Sequence, residues 1–239
     1  MDAPDVYRRA APGRQPPYLH PAYKSTHKRA PTQPLVTLPH TLSEATGCAI
    51  DPQLVAADAA DLTRQGVGAP LGERIIVAGR LLDENGQPLP GAVIEIWQCN
   101  AAGRYLHPKD NHDAPIDPNF RGSGQAVTDA EGWYRFTTIK PGAYPWRNDH
   151  NAWRPPHIHF SVFGPAFLTR LVTQMYFPGD PLLAFDPIFN SVSDTRARGR
   201  LIARFDWQTT RPEWAIGYRF DLVLRGRSET PWEDRGHAK

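Results

Sequence analysis

Two histidines separated by a single residue stand in RPPHIHFSVF, and two loop tyrosines precede them, Tyr105 in NAAGRYLHP and Tyr144 in IKPGAYPWRN. Side chains of an extended chain alternate between faces, so His157 and His159 share one face while Ile158, Phe160 and Val162 share the other. Two imidazoles held side by side on a strand make half of a metal site. Pro155 and Pro156 fix the backbone at the strand entrance. Taken alone, the pair also fits two hydrogen-bonded histidines with no metal between them. It leaves the metal open as well: a third histidine would suit zinc or copper, and a carboxylate would suit a ferrous site. Neither is near in sequence, and His150 sits in a polar loop expected to be solvated. What the preceding loop offers is Tyr144, between Pro141-Gly142 and Pro145, where the backbone is expected to stay outside any regular ladder. Tyr105 follows a small, flexible Ala-Ala-Gly segment.

The elements that must position these residues are mainly β. From Glu73 onward, short β-branched and aromatic runs alternate with turn residues. Strands are predicted at 73–83, 91–100, 132–140, 157–163, 169–177 and 217–226, the first two as a pair joined by ENGQPLP. With no helices of crossover length between them, the pattern predicts an antiparallel β-sandwich or barrel-like core over residues 73–239. Residues 1–72 read as an extended, proline-rich N-terminal arm. Short helical turns are expected within it at 41–47, where Thr41 and Glu44 have capping-box spacing, and at 54–66.

Composition narrows the function. A net charge of +2 with both signs interspersed is no footprint of a nucleic-acid binder. No apolar run approaches the roughly 20 residues of a membrane span, and no apolar stretch follows the arginines near the start, so a soluble, cytoplasmic protein without a secretory signal is expected. Cys48 and Cys99 lack CxxC spacing and are expected to be reduced thiols, which leaves sulfur out of any metal site.

The segments GRYLHPKDNH, DPNFRGSGQAVTDAEGWYRFTTIKPGAYPWRN, WRPPHIHF and TQMYFPGDPL resemble the intradiol ring-cleaving dioxygenases, and the likeness runs from about Pro21 to Arg227. GERIIVAG near its start and YRFDLVLRG near its end belong to it. The resemblance implies one Fe(III) per chain held by Tyr105, Tyr144, His157 and His159, with O2 as co-substrate and a small aromatic diol as substrate. It implies that Arg154, three residues before His157, stabilises negative charge on the substrate ring. Gln174 and Tyr176, at i and i+2 of the next strand, would line the pocket, as would Ile188, with Trp97 and Trp146 as aromatic walls. The short, proline-rich N-terminus favours the protocatechuate branch, which implies a homologous α subunit, αβ protomers in a higher-order assembly, an arm that docks the subunits, and a place in aromatic catabolism by the β-ketoadipate pathway. Leu106 and Ala143 depart from the arginine and proline common in the family, which bears on substrate fit.

These residue types suit that chemistry. A free tyrosine ionises only near pH ~10, so a phenolate ligand calls for a strongly charged, hard cation beside it. A trivalent iron, two phenolates and a hydroxide sum to zero charge, which a buried site tolerates. A catechol dianion replacing hydroxide and one tyrosinate leaves the sum at zero; the resemblance implies that Tyr144 is the one displaced, which makes it an internal base for a substrate proton.

Overall fold

Runs of Ile, Val, Phe and Tyr between turn residues become strands because branched and aromatic side chains pack well on a pleated surface. The coordinates form a computed structural model that describes residues 13–28, 30–34, 36, 50–146, 152–164, 170–224 and 228–233. Among them the strands are β1 (Arg74–Leu82), β2 (Val93–Trp97), β3 (Ser123–Val127), β4 (Trp133–Ile139), β5 (Tyr144–Trp146), β6 (Ala152–Arg154), β7 (His157–Phe163), β8 (Arg170–Tyr176), β9 (Arg204–Phe205), β10 (Ile216–Arg219) and β11 (Leu222–Val223). Helices are short: α-helical turns span Pro187–Asn190 and Thr195–Gly199, capped by Asp186 and Asp194.

One sheet is built on β1, which pairs antiparallel with β4 on one edge and in parallel with β10 and β11 on the other. The second sheet runs β3-β2-β7-β8 with every pairing antiparallel, and β5 and β6 form a separate ribbon. Ile75, Val77 and Phe136 of the first sheet and Ile94, Ile96, Ile158, Phe160 and Met175 of the second belong to one core. The Phe160 ring meets Tyr134, Phe136 and Phe220 within it. The mainly β, sandwich-like architecture is therefore the one the sequence pattern predicts.

Some details differ from the sequence reading. The segments around β1 and β2 do not pair: they begin as a hairpin, with Leu82 bridged to Pro88, and then part into different sheets. Separation lets each strand face the core from its own side. The stretch 217–226 is divided into β10 and β11, while the helical turn expected within 54–66 is present as a 3-10 turn at Leu62–Arg64, with another at Pro52–Leu54 just before that range. Tyr144 lies in a strand, paired with Arg154. Pro145 is tolerated beside it because a two-stranded ribbon has free edges, where a missing N–H costs no ladder bond. The Thr41–Glu44 turn, Cys48, His150 and the Asp149 neighbourhood lie outside the described residues. Among the described residues, no helix is long and apolar enough to cross a membrane.

Candidate metal centre

The site lies on the face of β7 turned away from the core. Cross-strand partners point to the same side of a sheet, so the register Trp97↔His159↔Gln174 and His157↔Tyr176 gathers these five side chains on one surface. β7 is buried along nearly its whole length, so this polar surface is covered as completely as the apolar one.

Two loops bring the tyrosines to the histidines. Asn100 organises the first: its side-chain oxygen accepts from the backbone N–H of Ala102 and Arg104, and its own backbone oxygen accepts from Gly103 and Gly142. Gly103 has φ of +80°, and a Cβ there would lie 2.2 Å from the Ala143 oxygen. Only glycine lets the Tyr105 loop press this closely on the Tyr144 loop. The two phenol rings then meet edge to face at 5.4 Å. Cys99 donates its thiol to the Gly142 oxygen beneath them, and burial pushes that thiol up to about 12. It is a packing residue, not a nucleophile.

The four proposed ligands converge. Tyr105 Oη is 3.2 Å from His159 Nε2, and Tyr144 Oη is 3.4 Å from His157 Nε2. Each imidazole is held from behind through Nδ1, His157 by the Pro155 carbonyl at 2.7 Å and His159 by the Glu233 carboxylate at 2.8 Å. A proton kept on Nδ1 leaves the Nε2 lone pair aimed at the tyrosine oxygens. The Trp97 ring stacks on His159 with 4.8 Å between centroids and 6° between planes.

Protonation in the metal-free chain follows from burial. It drives His157 well below the usual imidazole range, with Arg154 and His159 adding to the shift, so the ring is neutral. Burial also raises both phenols: Tyr105 goes well above its ordinary value, with Tyr144 contributing, and Tyr144 rises to about 12 although Arg154 opposes the change. Both therefore stay protonated at neutral pH unless a strong cation binds. Burial alone would raise the Glu233 carboxyl, but the attraction and hydrogen bond of His159 more than offset it and hold Glu233 below the ordinary range.

Among the described residues no three His, Cys, Asp or Glu side chains cluster as a metal site. The oxygen donors that face the two histidines are the phenols of Tyr105 and Tyr144. Two imidazole Nε2 atoms turned toward two phenols that ionise only beside a strong charge form a donor set suited to a hard trivalent ion.

Arg154 is buried. Its Nη2 donates to Gln174 Oε1 at 2.6 Å, Tyr176 Oη at 3.1 Å and Asp186 Oδ2 at 3.0 Å. Burial works against its charge, but the Asp186 carboxylate at 3.0 Å more than compensates and keeps it protonated. Arg154 Nε and Gln174 Nε2 are buried without a hydrogen-bond partner among the described residues. Trp146 lies 5.6 Å from the Arg154 guanidinium and meets the arm through Tyr23. Ile188 joins Gln174, Tyr176 and Glu233 around a narrow cleft that Pro16 of the arm also lines. Leu106 is 59 % exposed.

Two residues of the site escape a reading of the sequence. Asp186, 0 % exposed, pairs with Arg154 and caps the helix that carries Ile188. Glu233 reaches His159 from 74 positions later in the chain. The Asp-Pro start of the helix is a visible capping signal, but nothing local to Glu233 points to a histidine.

Comparison with known proteins gives the chain its family. A family model described as Dioxygenase matches residues 48–226, and one described as Protocatechuate 3,4-dioxygenase beta subunit N terminal matches residues 7–41. The chain is 54 % identical over 235 residues to a protocatechuate 3,4-dioxygenase beta chain of Burkholderia cepacia, with 98 % of this chain and 100 % of that one aligned. It is 30 % identical to the alpha chain from the same organism, over 84 % of this chain and 100 % of the relative. Catechol 1,2-dioxygenase from Pseudomonas arvilla C-1 superposes with a TM-score of 0.53 and 27 % identity, over 75 % of this chain and 60 % of that one. On the extent of the family match and of the Burkholderia alignment, the chain belongs to the intradiol dioxygenase family.

Proposed function

We propose that the chain is the β subunit of a protocatechuate 3,4-dioxygenase, opening 3,4-dihydroxybenzoate with O2 between its two hydroxyl-bearing carbons to give 3-carboxy-cis,cis-muconate. One observation carries the reading: two phenol oxygens and two imidazole Nε2 atoms converge, with each imidazole oriented from behind. Tyr105, Tyr144, His157 and His159 would hold one Fe(III) per chain. When bound, that ion supplies the Lewis acidity that ionises the phenols at neutral pH and withdraws electron density from a chelated diol ring.

The residues of the chain divide the remaining work. Tyr144 Oη accepts a proton from a substrate hydroxyl, so no separate catalytic carboxylate is required. Arg154 keeps a full positive charge in a buried setting, where charge developing on the ring is stabilised most strongly. Its Nε is a buried donor without a partner among the described residues, and an anionic ring oxygen would satisfy it. Tyr176 and Asp186 fix the guanidinium, Trp97 holds the His159 ring, and Trp146 and Ile188 contribute walls.

A homologous α chain would complete the pocket and contact the substrate carboxylate, in αβ protomers joined with the help of the N-terminal arm, in the cytoplasm and as part of the β-ketoadipate pathway. The test is co-expression with a homologous α chain, followed by oxygen uptake on protocatechuate and on catechol. Uptake on protocatechuate by the αβ complex, and little by the β chain alone, is expected. Preference for catechol would move the protein to another branch of the family, and full protocatechuate turnover by a pure homomer would remove the partner.

A further inference from the structure

The two histidines of the site are held in different ways. His157 finds its Nδ1 partner two residues away, at the Pro155 carbonyl, so that bond comes with the strand itself. His159 takes a carboxylate from the far end of the sequence, with the two side chains 10 % and 17 % exposed.

The segment bearing Glu233 is tied down along its length. The Thr230 N–H donates to the Val223 oxygen and its Oγ1 accepts from the Val223 N–H, both at 2.9 Å. Pro231 accepts from Thr173 Oγ1 at 2.6 Å, Trp232 donates to Gln15 Oε1 at 2.7 Å, and the Glu233 N–H donates to the Val172 oxygen at 2.5 Å. Arg200 adds a bond to the Glu229 oxygen at 2.9 Å. Trp232 also packs against the main core. Late chain segments usually fray unless something fastens them. Here residues 229–233 form a strap along β8, the edge strand of the second sheet, and the strap delivers a carboxylate to one imidazole nitrogen.

Resting on the four-ligand reading above, we propose that Glu233 is a positioning residue for His159, and that residues 229–233 are thereby part of the metal site. The Trp97 stack prevents the ring from tilting, and the Glu233 bond prevents it from rotating about its own axis and fixes the proton on Nδ1. Together they leave Nε2 one direction in which to point. A carboxylate partner also makes the imidazole a stronger donor than a carbonyl partner does, so the two nitrogens of the site are unequal by construction. Because Gln15 holds the Trp232 backbone, the N-terminal arm supports the same ligand through the strap.

The test uses the αβ holoenzyme carrying Glu233→Ala or Glu233→Gln. Iron release to a hydroxamate chelator, the position of the visible absorption band and the melting transition are measured for each. Glu233→Ala is expected to release iron about 10- to 100-fold faster than the parent and to shift the band, the range seen when an outer partner of a ligand is removed. Glu233→Gln preserves volume and one acceptor oxygen and is expected to fall between them. A purely structural role would lower the melting transition and leave the band in place. Variants that stay folded, release iron at the parental rate and keep the parental band would overturn the proposal; if Glu233→Ala does not fold, Glu233→Gln decides by the same criteria. A parental complex with neither iron nor band would overturn the four-ligand reading and this inference with it, so the two failures are distinguishable.

Discussion

The two faces of β7 are one residue apart and equally buried, yet they are built on opposite principles. Ile158, Phe160 and Val162 enter an apolar core, where Phe160 meets three other rings. His157 and His159 enter a network in which nearly every polar atom has an assigned partner, drawn from β5, β6, β8, the helix cap at Asp186 and the strap at Glu233. The apolar face needs volume and tolerates exchange of one hydrocarbon for another. The polar face needs particular atoms at particular places, because each buried donor or charge left alone costs more than the bond it replaced. Rigid packing on one side holds the two imidazoles still on the other.

Substitutions can separate the two faces. The largest expected effect is His157→Ala, which removes a ligand: iron per chain and oxygen uptake should both fall to background while the melting transition of the metal-free protein stays within a few degrees. Phe160→Ala should do the reverse, lowering stability by about 3–5 kcal/mol in denaturant titration with iron stoichiometry unchanged in the molecules that remain folded. If both substitutions lost iron and stability equally, the distinction between the faces would fail.

Arg154→Lys keeps the charge but removes the buried Nε donor and shortens the side chain that reaches Gln174, Tyr176 and Asp186. A drop in kcat/KM of about 10²-fold, with the visible band retained, is expected from steady-state kinetics. An unchanged kcat/KM would show that charge alone is sufficient. The subtlest effect is on protons. Both phenols are held protonated without metal, Tyr144 at about 12 and Tyr105 well above its usual value, and both ionise when they become ligands. Iron loading near neutral pH should therefore release at least two protons per ion, and apparent affinity should rise with pH across that range, as read by potentiometric titration.

Much of this was visible in the sequence where the signal was local. Period-two alternation in RPPHIHFSVF placed the histidines on one face, and that register is present in β7. The dense β-branched runs became β1, β2, β4, β7 and β8. β3 was missed because SGQAV has a glycine and a glutamine where strand formers are expected, and its place is set by β2 and the turn at Ala59–Leu62. The β1–β2 pair was misread because a turn signal says that the chain reverses, not which sheet it enters next. Tyr144 was assigned to a loop because proline argues against a ladder, an argument that holds for central strands and fails for a short ribbon. Asp186 and Glu233 stayed hidden because their partners, Arg154 and His159, lie 32 and 74 positions away and only the folded chain brings them together.

The central claim is that Tyr105 and Tyr144 become ligands of a ferric ion. The most direct measurement is the visible absorption spectrum of the iron-loaded αβ complex, before and after Tyr105→Phe. The account expects a burgundy protein with a tyrosinate-to-iron charge-transfer band that shifts or weakens in the variant. A colourless preparation with one iron per β chain, or a band indifferent to Tyr105→Phe, would contradict it.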